Sequence, residues 1–417
     1  MNSFISTERS TACKTRRDQL MKIKLNTNYT SLSEYYLFSE VACRVKQFET
    51  LHPEKKLLRL GIGDVTLPLA ASVTSAMQLA CREQSSKNSF HGYGPENGYE
   101  FLRIAVSELY RERGVLLSPD EIFISSGAKE DIGSLTELFG SSPVYLPDPT
   151  YPAYRDANLL RGAEIIEMDS GSENGFLPMP QKDFETGIYY LCSPSNPTGA
   201  VFSANQLQAW VSFANSTGSL LIFDAAYRAF IRSQVPRSVF EIDGARTCAL
   251  EVGSFSKSAG FTGTRCGYTI IPKELSCGEM LLHRMWQRRQ AAKFNGVAYV
   301  IQRGAEAALS PAGRLECREQ IESYLNQARM LRELLCKYRI LHSGGIDSPY
   351  VWLKCPNGLS SWEFFDLLLA KLQIIGTPGV GFGQRGEGYF RLSAFGSHED
   401  TYEAVRRMDA LLQNILL

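Results

Sequence analysis

Between residues 57 and 300, short apolar runs alternate with helix-length amphipathic stretches, and that alternation constrains the fold more than any other feature of the chain. The runs are LLRLGI (57–62), IFIS (122–125), PVYLP (143–147), EIIEM (164–168), IYYLC (188–192), LLIFD (220–224), ALEVGS (249–254) and GYTII (267–271). Segments such as 98–113 and 204–217 carry the pattern of surface helices. Short, nearly continuous apolar runs suit strands buried on both faces, and parallel neighbours need crossovers long enough to hold a helix. The expectation is therefore an α/β fold, a mostly parallel sheet flanked by helices.

The tail reads differently. Residues 315–338 form one long amphipathic helix, followed by YVWLK (350–354), a helix near 361–372, QIIG (373–376), YFRLS (389–393) and a helix over 399–416. In that last helix Val405, Met408, Leu412 and Ile415 share a face. This predicts a smaller α+β domain. The 417 residues divide into an arm (1–20), an N-terminal arm with part of the small domain (21–62), a large domain (63–305) and a C-terminal small domain (306–417). The first twenty residues read as a disordered arm or as an upstream start with Met21 as the true beginning; an organellar transit peptide is the less favoured alternative.

Forty-four basic residues balance 44 acidic ones, so nothing draws the chain toward nucleic acid or an anionic membrane. No apolar run approaches the roughly 18 residues that span a bilayer. Ten cysteines without a C-x-x-C pair and five unclustered histidines indicate neither a metal site nor a disulfide framework. Free buried thiols in a reducing cytoplasm are the expectation.

Ligands of open α/β sheets gather at the carboxyl ends of strands. Three polar residues stand there: Asn196 after IYYLC, Asp224 ending LLIFD, and Lys257 after ALEVGS. Singly, they read as a turn residue, a strand terminator and a solvated lysine. Together they match what pyridoxal phosphate requires: an amine to bond its aldehyde, a carboxylate at the ring nitrogen, and donors at the ring oxygen. Lys257, Asp224, and Asn196 with Tyr227 fill those roles. Ser254, Ser256 and Arg265, in SFSKSAGFTGTR, suit the phosphate, the arginine through its planar fork. SSGAKED (125–131) opens a helix whose N-terminus at Ala128 and Lys129 suits the same group. Tyr151 is placed to stack on the ring.

Ten stretches carry a wider likeness: YLFSEVACRV (36–45), LGIGDVTLPL (60–69), GYGPENGYEFLR (92–103), ISSGAKED (124–131), DPTYPAY (148–154), CSPSNPTGAV (192–201), FDAAYRAFI (223–231), SFSKSAGFTGTRCGY (254–268), KFNGV (293–297) and TPGVGFG (377–383). From about residue 30 onward the chain resembles the fold-type I pyridoxal-phosphate aminotransferases and, among them, the LL-diaminopimelate aminotransferases. The resemblance implies a seven-stranded sheet, Lys257 as the catalytic amine, and Arg391 as the clasp for the substrate α-carboxylate. It implies that Tyr36 and Gly63 line the substrate side, with Lys129, Tyr151 and Asn196 also touching substrate. Tyr93 and Asn295 would reach the active site of the partner subunit of a homodimer, Asn295 touching cofactor as well. Glu96 would read the distal ammonium of the substrate, also across the dimer. The implied reaction moves the amino group of glutamate to tetrahydrodipicolinate, giving LL-diaminopimelate and 2-oxoglutarate. Ser195, Ser126 and Leu67 depart from the family pattern; Ser195 neighbours Asn196 without consequence, whereas Ser126 and Leu67 bear on substrate identity rather than cofactor.

The alternatives are an aminotransferase with a lysine-like or aromatic donor, a pyridoxal lyase or decarboxylase on the same fold, and a pyridoxal-binding transcription regulator, for which the arm is too short. A nucleotide-binding reading of GVGFGQRGEG (379–388) fails on order, because the stretch precedes a strand and reads as a loop positioning Arg391.

Overall fold

The computed structural model describes residues 23–32, 37–61 and 63–416. The arm assigned to residues 1–20, the site residue Tyr36 and the side chain of Ile415 fall outside the described residues.

Seven strands form the central sheet: β1 (Ile122–Ser125), β2 (Val144–Asp148), β3 (Ile165–Asp169), β4 (Ile188–Cys192), β5 (Leu220–Asp224), β6 (Ala249–Ser254) and β7 (Gly267–Ile270). Their spatial order is β1-β7-β6-β5-β4-β2-β3. Only β7 runs antiparallel to its neighbours. The helices are α1 (Leu37–Leu51), α2 (Ala71–Glu83), α3 (Glu100–Arg111), α4 (Ala128–Leu135), α5 (Pro152–Arg161), α6 (Ala204–Thr217), α7 (Leu282–Lys293), α8 (Tyr299–Leu309), α9 (Pro311–Lys337), α10 (Ser361–Leu367) and α11 (His398–Leu416).

Strand alternation explains the continuous apolar runs. Ile122, Tyr145, Leu191 and Phe223 join a core layer with Val73, Leu102 and Trp210 of α2, α3 and α6. Their neighbours Phe123, Leu146, Tyr190 and Ile222 join the opposite layer with Ile132 of α4, Tyr154 of α5 and Trp286 of α7. Burying both faces leaves no polar side to the sheet. Local signals agree with this: α6 opens on a capping box, the Gln206 amide donating to Ser203 Oγ at 3.3 Å and the Ser203 amide to Gln206 Oε1 at 2.9 Å.

A second sheet contains β8 (His342–Gly344), β9 (Tyr350–Lys354), β10 (Thr377–Pro378) and β11 (Tyr389–Ser393), in the antiparallel order β8-β9-β11-β10. Its core combines Phe390 and Leu392 with Leu331 of α9, Phe365 of α10 and Met408 and Leu412 of α11. Val45, Leu58 and Leu60 from the N-terminal side enter the same core. Among the described residues no helix is long and apolar enough to cross a membrane.

Three expectations need correction. LLRLGI, grouped with the runs of the large sheet although the division at residue 62 places it with the smaller domain, forms a strand at Leu58–Arg59 among the described residues, and that strand pairs in parallel with Ile374–Ile375. Leu58 and Leu60 are buried in the smaller core with Leu57 packed against it, so a run of this length fixes burial but not which sheet receives it. The helix near 361–372 keeps α geometry only to Leu367 and continues as a π turn over Leu368–Leu372. Of the nine described cysteines, all free, Cys192, Cys248, Cys266, Cys317 and Cys355 are buried, whereas Cys43, Cys81, Cys277 and Cys336 are exposed.

Candidate active site

The parallel register sets Cys192 of β4 beside Asp224 of β5, and Asp224 beside Val252 of β6. The carboxyl ends of these strands therefore share one edge, where a cleft of about 380 Å³ opens toward the smaller lobe. Lys257, Asp224, Asn196 and Tyr227 all line it, as the sequence predicts.

Lys257 follows β6 in a single helical turn, Phe255–Ser258. Ser254 caps that turn, its Oγ accepting from the Ser256 amide at 3.1 Å. The amine is half-buried and faces the Phe395 ring at 5.6 Å. Burial holds its pKa down at about 8; Asp64 opposes that fall, and Arg265 and Arg391 add to it.

Asp224 is buried, and burial pushes its carboxyl above the usual range. Both groups that hold it are neutral donors: Tyr154 Oη at 2.6 Å and the Ala226 amide at 2.9 Å. A buried carboxylate of this kind gains from a cation, and the protonated ring nitrogen of pyridoxal phosphate is one. Tyr154 was not foreseen, although its three-residue spacing from Tyr151 at the start of α5 puts both on one side of that helix. The two rings meet edge to face at 5.6 Å.

The opposite end of the cleft is lined by Ala128, Lys129, Ser254, Ser256 and Arg265. Asp131, buried in the first turn of α4, accepts from Thr269 Oγ1 of β7 at 2.7 Å and pins the helix N-terminus there. Gly127, at φ +124°, precedes that helix, and a Cβ on it would stand 2.5 Å from Arg265 Nη2. The arginine fork thus lies where only glycine leaves room, and its Nη1 donates to Ser256 Oγ at 3.3 Å. A helix N-terminus, two serines and a guanidinium form a donor set that suits a phosphate.

Arg391 of β11 is buried against the large lobe. Its Nη1 donates to Asn196 Oδ1 at 2.7 Å, and its Nη2 donates to the Gly61 carbonyl at 2.9 Å. Its guanidinium lies 4.3 Å from the Tyr350 ring centre. The hydroxyls of Tyr227 and Tyr350 share a hydrogen bond of 2.7 Å across the lobes. Gly63 sits close beneath, since a Cβ on it would meet Tyr350 Oη at 2.7 Å. Asp64, Cys192 and Tyr350 line the cleft unforeseen, the tyrosine because its partner lies 123 residues away in sequence.

Tyr93, Glu96 and Asn295 are not among the residues lining this cleft. Tyr93 is 91% exposed, Asn295 is exposed and Glu96 half-buried. The two loops abut, because a Cβ on Gly296 would stand 2.9 Å from the Pro95 carbonyl and 3.9 Å from Glu96 Cα. Ser126, Ser195 and Leu67 do not line the cleft either.

A seven-stranded sheet with one reversed strand, a lysine at a strand end, a carboxylate behind it and a phosphate cradle define a fold-type I pyridoxal-phosphate enzyme. The residues present fit that cofactor. The chain belongs to the family described as aminotransferase class I and II, whose model matches residues 55–408. Among its relatives, the LL-diaminopimelate aminotransferase of Agathobacter rectalis is 46% identical over 403 residues, covering 93% of this chain and 100% of that one. The protein of the same name from Prochlorococcus marinus is 45% identical over 409 residues, with 93% and 100% covered. The solved structure of L,L-diaminopimelate aminotransferase from Chlamydomonas reinhardtii superposes with a TM-score of 0.89 at 38% identity, covering 94% of this chain and 99% of that one.

Proposed function

We propose that the chain transfers an amino group between LL-diaminopimelate and 2-oxoglutarate, forming LL-diaminopimelate from tetrahydrodipicolinate and glutamate in the biosynthetic direction. The observation that carries this reading is identity of 44–46% along nearly the whole length of several relatives bearing that activity's name. The chemistry of the cleft is compatible with it. Bound pyridoxal phosphate supplies an electron sink for negative charge at the substrate α-carbon. Lys257, with its pKa at about 8, is poised to take a proton from that carbon and return one during turnover. Asp224, steadied by Tyr154 and the Ala226 amide, keeps a proton at the ring nitrogen. Ala128, Lys129, Ser254, Ser256 and Arg265 hold the phosphate, and Asn196 and Tyr227 the ring oxygen. Arg391 clasps the α-carboxylate in its planar fork, because two parallel hydrogen bonds fix position as well as charge. Gly63 and Tyr151 bound the substrate side.

The reading includes a homodimer of the cytoplasm, with large and small domains meeting near residues 62–63 and 305–306. The clustering of Tyr93, Glu96 and Asn295 outside their own chain's cleft supports a shared site, with Glu96 meeting the distal ammonium of the neighbour's substrate. A screen of amino donors with 2-oxoglutarate tests the substrate: the LL isomer should turn over, and the DD and meso isomers, lysine and aromatic amino acids far less. Preference for lysine or an aromatic donor would overturn the assignment, and turnover independent of a keto acid would point to a lyase. Mixing Lys257→Ala and Glu96→Ala subunits tests the sharing. Hybrid dimers should regain diaminopimelate turnover, because one of their two sites then holds both residues; no recovery after confirmed subunit exchange would refute it.

A further inference from the structure

Behind the turn that carries Lys257 lies a second recess of about 280 Å³, between α3, the segment 228–237 and the junction of α8 with α9. Six arginines line it: Arg113, Arg228, Arg232, Arg237, Arg314 and Arg318. Four have carboxylates. Arg314 pairs with Glu112 at 2.6 Å, Arg113 with Glu241 at 2.8 Å, Arg232 with Glu322 at 2.6 Å, and Arg228 stands 3.9 Å from Glu251. The remaining two form no ion pair within 4 Å among the described residues. The Arg237 guanidinium donates to the Ile231 carbonyl at 2.9 Å, while Glu241 takes a bond from the Arg237 main-chain amide at 2.8 Å. Arg318 is exposed at the mouth and makes no ion pair among the described residues.

Two further observations mark an excess of positive charge here. Nη2 of Arg232 is buried without a hydrogen-bond acceptor among the described residues, which is costly for a charged donor. Burial, with Arg113, Arg228 and Arg232 close by, holds Arg237 below the usual arginine range, and Glu241 offsets this only in part. The floor, in contrast, is apolar: Phe255, Leu309, Cys317 and Ile321. Charge at the rim over an apolar floor calls for a ligand with both characters. The volume is at the low end of small-molecule sites.

We propose that this recess binds a small organic dianion, its charged end between Arg237 and Arg318, with the charge of Arg232 beside them, and its apolar body on the Phe255–Ile321 floor. The site is separate from the cofactor's: Lys257 does not line it, and Ser254 alone borders both cavities. The inference does not depend on which amino acid the enzyme uses.

Titration calorimetry on the pyridoxal-phosphate-loaded protein tests it, with phenyl phosphate, inorganic phosphate and phenol as probes. Phenyl phosphate should bind saturably, one per chain, at least about tenfold tighter than inorganic phosphate, and more weakly as salt rises. Phenol should not bind. Arg318→Glu and Arg237→Gln should each weaken phenyl phosphate about tenfold or more. Arg318→Glu alters an exposed side chain, so its thermal midpoint and cofactor absorbance should match those of the parent protein. Absence of saturable binding, binding indifferent to both substitutions, or inorganic phosphate binding as tightly as phenyl phosphate would each overturn the proposal.

Discussion

Removing the amine of Lys257 should stabilise the cofactor-free protein, by an amount that depends on pH in a fixed direction. The cleft holds this amine at about 8, against an ordinary value of 10.5. At about 1.4 kcal/mol per pH unit, the gap is worth about 3 kcal/mol. Solvent reaches the half-buried side chain, which makes that an upper figure. The sign follows from proton counting. Below pH 8 the ammonium is present in both folded and unfolded chains, and the folded chain bears the cost of its burial. Between 8 and 10.5 the unfolded chain keeps its proton while the folded chain has released it, so stability rises with pH. Above 10.5 both are neutral and the cost is gone. Lys257→Met keeps the length of the side chain without the charge. Urea unfolding of the two cofactor-free proteins should therefore show the variant ahead by up to about 3 kcal/mol near neutrality, with the lead shrinking as pH approaches 10.5. Packing changes from the methionine add a constant and leave the slope alone. A difference that stays flat from pH 7 to above 10.5 would refute burial as the cause of the lowered pKa.

Tyr154→Phe leaves Asp224 with the Ala226 amide as its only donor among the described residues, and a hydrogen bond to a charged group is worth about 1.5–3 kcal/mol. Single-turnover transfer from glutamate should slow about tenfold or more, and the thermal midpoint should fall by a few degrees. Gly127→Ala would put a Cβ 2.5 Å from Arg265 Nη2 at φ +124°. It should cost about 1–3 kcal/mol of stability and weaken cofactor retention in equilibrium dialysis by about tenfold. Arg391→Lys keeps the charge and loses the fork that reaches Asn196 and Gly61 together. Steady-state kinetics should show KM for amino donor and keto acceptor rising by about 10²-fold, with a smaller fall in kcat.

What the sequence disclosed of the site follows strand ends. Asn196, Asp224 and Lys257 each end or closely follow an apolar run, and parallel strands in register bring such residues to one edge whatever the loops do. The donor set proposed for the phosphate is equally legible, because Ser254, Ser256 and Arg265 stand at short spacing in one stretch and line the same cleft. Tyr350 was not, since its bond to Tyr227 depends on how two lobes meet. Asp64 stands in a stretch whose only sequence cue was its resemblance to a family. LLRLGI shows the converse limit: hydrophobicity announced burial, but the identity of the receiving sheet rests on pairing with Ile374–Ile375.

The position of Arg391 relative to Lys257 is set by register rather than by side-chain freedom. Along β11, Phe390 and Leu392 point into the smaller core, so Arg391 between them must face the other way, toward Asn196. It stands opposite Trp352 of β9 and Thr377 of β10. A slip of one residue would drive the guanidinium into that apolar core and expose two large side chains, a change no nearby carboxylate could offset. The large lobe closes on the same strands without slack: a Cβ on Gly199, in the loop of Asn196, would meet Gly344 Cα at 2.6 Å and the Tyr350 carbonyl at 2.8 Å. The fork proposed to receive a carboxylate and the amine proposed to handle the neighbouring carbon belong to different lobes, yet their separation is fixed by backbone packing at that contact. The proposed chemistry tolerates little misplacement of its reacting groups, and the register of β11 supplies the needed constraint on Arg391.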